Sequence, residues 1–204
     1  MGKVVLHFSM SLDGFIAGPD ISIEHALGLG GERLHEWMFN DTSDQSGDPL
    51  QSSASRKDAE LVQEVAASVG AVVLGRRTFE VGLRHWGDTP YPAPSFVLTH
   101  EPRDKLAMKS AAFTFVTDGI ESAVQQAKLA AGEQVITVMG ANTAQQVLKA
   151  GLADELQIQL IPVLLAAGTR LFDCIGSEQI QLKTTRVLDS PFVTHLHFQV
   201  VKPA

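Results

Sequence analysis

"AVVLGRRTFEVG" (71–82) begins with apolar and β-branched residues and breaks at Gly75 into Arg76-Arg77-Thr78. The apolar part has the length and composition of a buried strand, and the break reads as a turn opening a helix. Just upstream, "RKDAELVQEVAASVG" (56–70) has apolar residues at 59, 61, 62, 65, 66 and 69, which is helical spacing, and Gly70 stands where a C-cap belongs. The alternation recurs downstream. "PSFVLTH" (94–100) and "AFTFVTDG" (112–119) read as strands, the second leading into the helix "IESAVQQAKLAAG" (120–132). "QVITVMG" (134–140) leads into the helix "NTAQQVLKAG" (142–151). Before all of these, "KVVLHFSMSLDGFIAG" (3–18) reads as a buried strand that breaks at Asp13-Gly14.

Strands that are apolar throughout, separated by amphipathic helices, specify a mainly parallel sheet covered on both faces. The last third differs. "ELQIQLIPVLL" (155–165) alternates and then runs apolar, while "IQLKTTRVL" (180–188) and "FVTHLHFQVV" (192–201) flank "DSP" as an antiparallel hairpin. The expected architecture is one α/β domain over 1–204, a parallel sheet closed by an antiparallel edge. Residues 19–55 are expected to be a flexible insertion, because "NDTSDQSGDPLQSSAS" (40–55) has almost nothing to bury.

With 204 residues and 45% hydrophobic content, the chain can bury a sizeable core. Its 16 Lys+Arg against 23 Asp+Glu give a formal charge of −7, and the basic residues are scattered, so nucleic acid and anionic membrane are poor partners. Cys174 is the single cysteine, which excludes an intrachain disulfide, and no apolar run approaches the roughly 20 residues that span a bilayer. The expectation is a cytoplasmic protein with a small-molecule substrate.

In such a sheet ligands bind at the carboxyl ends of the strands. Three turns fall there: Ser11-Leu12-Asp13-Gly14, Gly75-Arg76-Arg77-Thr78 and Gly140-Ala141-Asn142-Thr143. Small residues admit a close approach of backbone to ligand, and helix N-termini offer free N–H groups to phosphate. Two such units and two arginines suit a ligand with several phosphates. Taken singly, each has a plainer reading: Arg76 and Arg77 as an exposed helix start making ion pairs, and Asn142 or Thr143 as an ordinary helix cap. Neither the six-residue dinucleotide fingerprint nor a phosphate loop ending in Gly-Lys-Ser/Thr occurs.

Taken together and in order, "MSLDGFIAG", "VLGRRTFE", "VMGANTAQQVLKAGLADEL" and "IPVLLAAGTRLF" resemble the dihydrofolate reductase-like superfamily. Within it they resemble the reductase domain of bifunctional riboflavin biosynthesis proteins (RibD C-terminal domain) and its stand-alone bacterial relatives. The resemblance implies a three-layer fold with a mixed, mainly parallel eight-stranded sheet, an NADPH-dependent reductase and a homodimer. By position it implies that Ser9, Ile16 and Ala17 lie along the nicotinamide. It also implies that Gly75, Arg76, Arg77 and Thr78, with Thr99, take the 2′-phosphate and pyrophosphate side, and that Gly140, Ala141, Asn142, Thr143 and Ala144 bring backbone N–H groups to the pyrophosphate. An arginine pair is a charge-assisted match for the additional phosphate of NADP.

On the substrate side the chain departs from its relatives. Riboflavin-pathway reductases tend to carry a lysine a few residues before "SLDG" and a glutamate before the Gly-rich turn, where this chain has His7 and Met139. Dihydrofolate reductases carry an acid on the helix after the first loop; in "GGERLHEWMF" (30–39) Glu32, His35 or Glu36 are candidates, and no spacing rule selects one. The catalytic acid is therefore unassigned. His7, Asp13, Trp37 and Gln159 are expected to line the pocket, with Trp37 as core and Asp13 as a turn support the plainer alternatives. His195 and His197 share one strand face without a third ligand, so no metal site is expected. The function expected is reduction of a pterin- or aminopyrimidine-like heterocycle; the alternative is a non-catalytic NADPH-binding or regulatory module.

Overall fold

The computed structural model describes residues 2–38 and 49–202, with backbone alone for 49–56. Its strands are β1 (Val4–Ser11), β2 (Phe15–Ala17), β3 (Val69–Gly75), β4 (Ser95–Leu98), β5 (Leu106–Ala107), β6 (Ala112–Val116), β7 (Val135–Met139), β8 (Glu155–Ile161), β9 (Thr169–Arg170), β10 (Leu182–Asp189) and β11 (Thr194–Val200). The helices are α1 (Pro49–Ser68), α2 (Arg76–Trp86), α3 (Ile120–Ala131) and α4 (Ala141–Lys149).

The main sheet has the order β10-β11-β8-β1-β7-β3-β4-β6-β5. The six strands from β8 to β6 are parallel; β11 and β5 run against them at the margins, and β10 pairs antiparallel with β11. Eight strands are expected from sequence; the ninth is β5, two exposed residues too short to leave a periodic signal. β2 and β9 form a separate two-stranded ribbon beside the sheet. Each parallel crossover runs through a helix or a long connection, as parallel pairing requires.

One face of the sheet packs on α3 and α4, burying Leu6, Val73, Ile136, Val138 and Ile158 among alanines of the helices. On the other face Phe79 of α2 packs against Val72, Leu74 and Phe113. Farther along that same face, Leu34, Trp37, Ile161 and Val193 form a smaller cluster.

Three sequence expectations are corrected. Helix α1 starts at Pro49, so 49–55 is helical rather than loop. Proline at a first helical position has its φ already set and lacks only an N–H that would have no intrahelical partner. Gly70 does not cap α1: it lies within β3, where a Cβ would come 2.6 Å from Cβ of Gln134 and 3.0 Å from the Ala131 backbone, so close packing requires it. The insertion expected over 19–55 is in large part structured. Gly18 and Leu29 donate backbone hydrogen bonds to Leu27 and Pro19, and two short 3-10 turns follow at 31–34 and 36–38. Residues 39–48 lie outside the described residues.

Candidate functional site

At the carboxyl edge of the sheet β3 and β7 are neighbours, and each feeds straight into a helix. The two turns interlock. A Cβ at Gly75 would lie 3.0 Å from Oγ1 of Thr143, and a Cβ at Gly140 would collide with Oγ1 of Thr78. Gly140 also has φ of 88°, which disfavours any side chain. Each glycine thus makes room for the threonine of the other turn, and the N-termini of α2 and α4 stand side by side.

Neither helix has a side-chain cap: Gly75 and Gly140 are the N-cap residues, and no side chain bonds to the first-turn N–H groups. Asn142, a candidate cap, instead accepts from Nε2 of Gln146 at 2.7 Å, and Thr143 is buried. Gly119 begins α3 the same way at this edge. Uncapped first-turn N–H groups and two aligned helix dipoles form an anion cradle. A dinucleotide pyrophosphate fits it in charge, whereas Ala144 is wholly buried in the core and its N–H donates to the Gly140 carbonyl.

The arginine pair divides. Arg76 turns toward the loop after β4, where Nη1 bonds to Oε1 of Glu101, while Glu80 bridges to Arg103 at 3.2 Å. Arg103 also meets Glu101 at 3.2 Å, and the two arginines together hold the Glu101 carboxyl below its ordinary pKa. Thr99, 6% exposed, sits at the base of this loop, with Oγ1 accepting from the Glu101 N–H. Arg77 points the other way, its Nη2 donating to the Ile21 carbonyl at 2.8 Å. Arg103 therefore shares its acidic partners, Glu80 and Glu101, with Arg76, and Arg77 does not. It lies 27 positions along the chain, beyond the reach of a turn motif.

The first loop is tied down by Asp13. Its carboxylate accepts from Ser11 Oγ at 2.6 Å and from the backbone N–H groups of Leu165 and Ala166, and these bonds keep its pKa below the ordinary value. The Asp13 carbonyl accepts from Arg170, whose guanidinium lies 4.2 Å from the Phe15 ring centroid. Asp13 thus joins the first loop to the segment after β8, the plainer of the two sequence readings. Ile16 and Ala17 are buried in β2.

Under α1 the sheet face is unusually polar. The register of β1, β8 and β11 sets Ser9 beside Gln159 and Gln159 beside His195 in one row, and His7, Gln157 and His197 in the next. Trp37 covers the first row: its Nε1 donates to Ser9 Oγ at 3.1 Å, and its ring meets His195 edge-on at 5.2 Å. Trp37 is thus both core and a polar contact. Gln159 is fully buried, and among the described residues neither of its amide atoms nor the buried Nδ1 of His195 has a hydrogen-bond partner.

Sequence reasoning missed Asp58. It is 3% exposed on α1, 3.0 Å from Nε2 of His195, and accepts a second hydrogen bond from Ser190. Glu32 and Glu36 are exposed, and His35 is half-buried with its pKa lowered by burial. The one acid buried on the helix after the first loop is Asp58. The signal existed: the inward stripe of α1 is 58, 61, 62 and 65, whereas Ala59 and Ala66, read as apolar positions, face outward. His195 and His197 do share a face, but among the described residues no group of three or more His, Cys, Asp or Glu could hold a metal.

The sequence model of the RibD C-terminal domain matches residues 2–194, and the chain belongs to that family. It is 27% identical over 186 residues to the uncharacterised protein YwjB of Bacillus subtilis (strain 168), covering 90% of this chain and 91% of YwjB. Among solved structures it is similar to a putative riboflavin biosynthesis protein from Shewanella sp. PV-4, with TM-score 0.68, 21% identity and coverage of 99% and 100%. A Thermotoga maritima diaminohydroxyphosphoribosylaminopyrimidine deaminase/5-amino-6-(5-phosphoribosylamino)uracil reductase aligns with TM-score 0.61 at 14% identity, over 98% of this chain and 57% of that one. Dihydrofolate reductase from Enterococcus faecalis, complexed with NADP(H), aligns with TM-score 0.51 at 15% identity and 98% coverage of both. The fold is that of these reductases, with the same mixed α/β sheet. No helix among the described residues is long and apolar enough to cross a membrane.

Proposed function

We propose, from membership in this family and the architecture of the carboxyl edge, that the chain is an NADPH-dependent reductase of a small heterocycle, pterin- or aminopyrimidine-like. The observation that carries the proposal is the interlocked pair of uncapped helix starts, in which Gly75 accommodates Thr143 and Gly140 accommodates Thr78. Backbone N–H groups of residues 76–78 and 141–143 would hold the pyrophosphate. Arg76, supported by Arg103 and Thr99, would hold the 2′-phosphate, and Ser9 with the Ile16-Ala17 segment would border the nicotinamide. Bound NADPH supplies the hydride.

The chain's own residues have three tasks. The β3 and β7 turns fix the cofactor's phosphates, Trp37 and the cluster at Leu34 and Ile161 keep water from the face beside Ser9, and a proton must reach the reduced ring. Asp58 with His195 is the buried proton-carrying pair on that face, and we assign it this role. A homodimer in the cytoplasm is part of the same proposal, tested by light scattering for twice the 21.9 kDa chain mass.

The test is a two-step titration. NADPH is expected to quench tryptophan fluorescence and raise the melting temperature; failure of both removes the proposal. Turnover is then followed at the cofactor absorbance with pterin and aminopyrimidine acceptors, and binding without any turnover favours a non-catalytic module instead.

A further inference from the structure

Beneath the C-terminal half of α1 the fold keeps a cavity of about 220 Å³. Its floor is His7, Thr137, Gln157 and His197, one from each of four strands, and its roof is Leu61, Val65 and Ser68. The polar groups of the floor are uncharged at neutral pH. Burial and the neighbouring His197 and His195 push the His7 pKa down to about 4, and burial with the nearby Arg186 lowers that of His197.

The charges stand at the mouth. Arg186 and Glu64 lie 3.8 Å apart, both exposed, so the single cation is opposed by a carboxylate. Gln159, one row farther along the strands, is fully enclosed outside the cavity, so the carboxamide that lines it is that of Gln157, and Nε2 of His197 is buried in the cavity without a partner among the described residues. A neutral imidazole and a carboxamide each offer one face that donates and one that accepts. Such groups match the adjacent N–H and C=O of a lactam or pyrimidinone ring. They do not match a phosphate, which would lose its water here without gaining a cation.

We propose that this polar layer under α1 binds an uncharged heterocycle bearing an amide-type edge and rejects phosphorylated ones. Naming that heterocycle as the hydride acceptor rests on the reductase reading above; its binding does not. His7 is central, because a lysine at that point would bring a buried cation into reach of an anionic substituent, whereas the neutral ring only exchanges hydrogen bonds.

The test is calorimetric titration of the full chain, without NADPH, using pterin and uracil against uridine 5′-monophosphate and ribose 5-phosphate. One of the two uncharged rings should bind at least tenfold more tightly than either phosphate compound. Gln157→Leu and His197→Leu, both at half-buried positions, should each weaken that binding tenfold or more with little change in ligand-free melting temperature. His7→Lys should narrow the preference by drawing in uridine 5′-monophosphate. Phosphates binding as well as the rings, no ring binding at all, or rings indifferent to both leucine variants would each overturn the inference. A parallel NADPH titration separates the two proposals: rings that bind a protein deaf to NADPH remove the reductase reading alone, and the converse removes this site alone.

Discussion

The carboxyl edge of the sheet and the face under α1 are built by opposite means. At the edge the working groups are backbone N–H donors and two glycines, supplied by two short turns on neighbouring strands. Under α1 they are side chains gathered from elements far apart, with Asp58 and His195 separated by 137 positions. The edge suits a ligand recognised by charge and shape; the face suits one recognised by its pattern of donors and acceptors.

The sharpest way to test that division is to damage each region in its own terms. Asp58→Ala would leave His195 buried without its acceptor, while half-buried Ser190 keeps the Val193 carbonyl, and an uncompensated buried polar group of this kind costs about 3 kcal/mol. Urea unfolding should show that loss, with NADPH affinity nearly unchanged in whatever fraction is folded; a variant as stable as the parent would mean the pair is solvated. Gly140→Ala should do the reverse in emphasis. It forces a side chain into a positive-φ turn against Thr78, for about 2 kcal/mol in stability, and should also weaken NADPH binding more than tenfold.

The His7 ring gives the face a pH signature. Its pKa is depressed from 6.5 to about 4, so the fold accepts the neutral ring, and its contribution is complete above pH 6.5. As pH falls from 6.5 toward 4 the unfolded chain takes up the proton first, and stability is lost through that window, on the order of 2 kcal/mol between pH 7 and 5. Urea melts of the parent and His7→Leu at both pH values check this: the parent should lose that much more than the variant. A smaller effect is expected of Trp37→Phe, which keeps the ring contact with His195 but gives up the bond to Ser9, at about 1 kcal/mol.

The same division explains what could be read from sequence. The parallel order, the terminal hairpin and both glycine turns lie in contiguous stretches whose periodicity and punctuation are local. Pairing of Gly75 with Thr143 is foreshadowed because each belongs to a visible turn. Asp58 is not, since a carboxylate on a helix reads as a solvated position until the sheet is laid beneath it. Arg103 was missed for the same reason: only the β3–β4 pairing carries the loop after β4 back to Arg76. The separate partners of Arg76 and Arg77, Glu101 and the Ile21 carbonyl, are not legible in the pair, because adjacency in sequence at a helix start sends two side chains about 100° apart around the axis.

The most direct measurement of the central claim is the affinity of the parent, Arg76→Ala and Arg77→Ala for NADPH and for NADH. NADPH should bind the parent more tightly than NADH. Arg76→Ala should erase most of that preference, with about 1.5–3 kcal/mol lost for NADPH alone, and Arg77→Ala should change it far less. A parent that does not discriminate between the two cofactors, or an Arg76→Ala variant weakened equally for both, would contradict that claim.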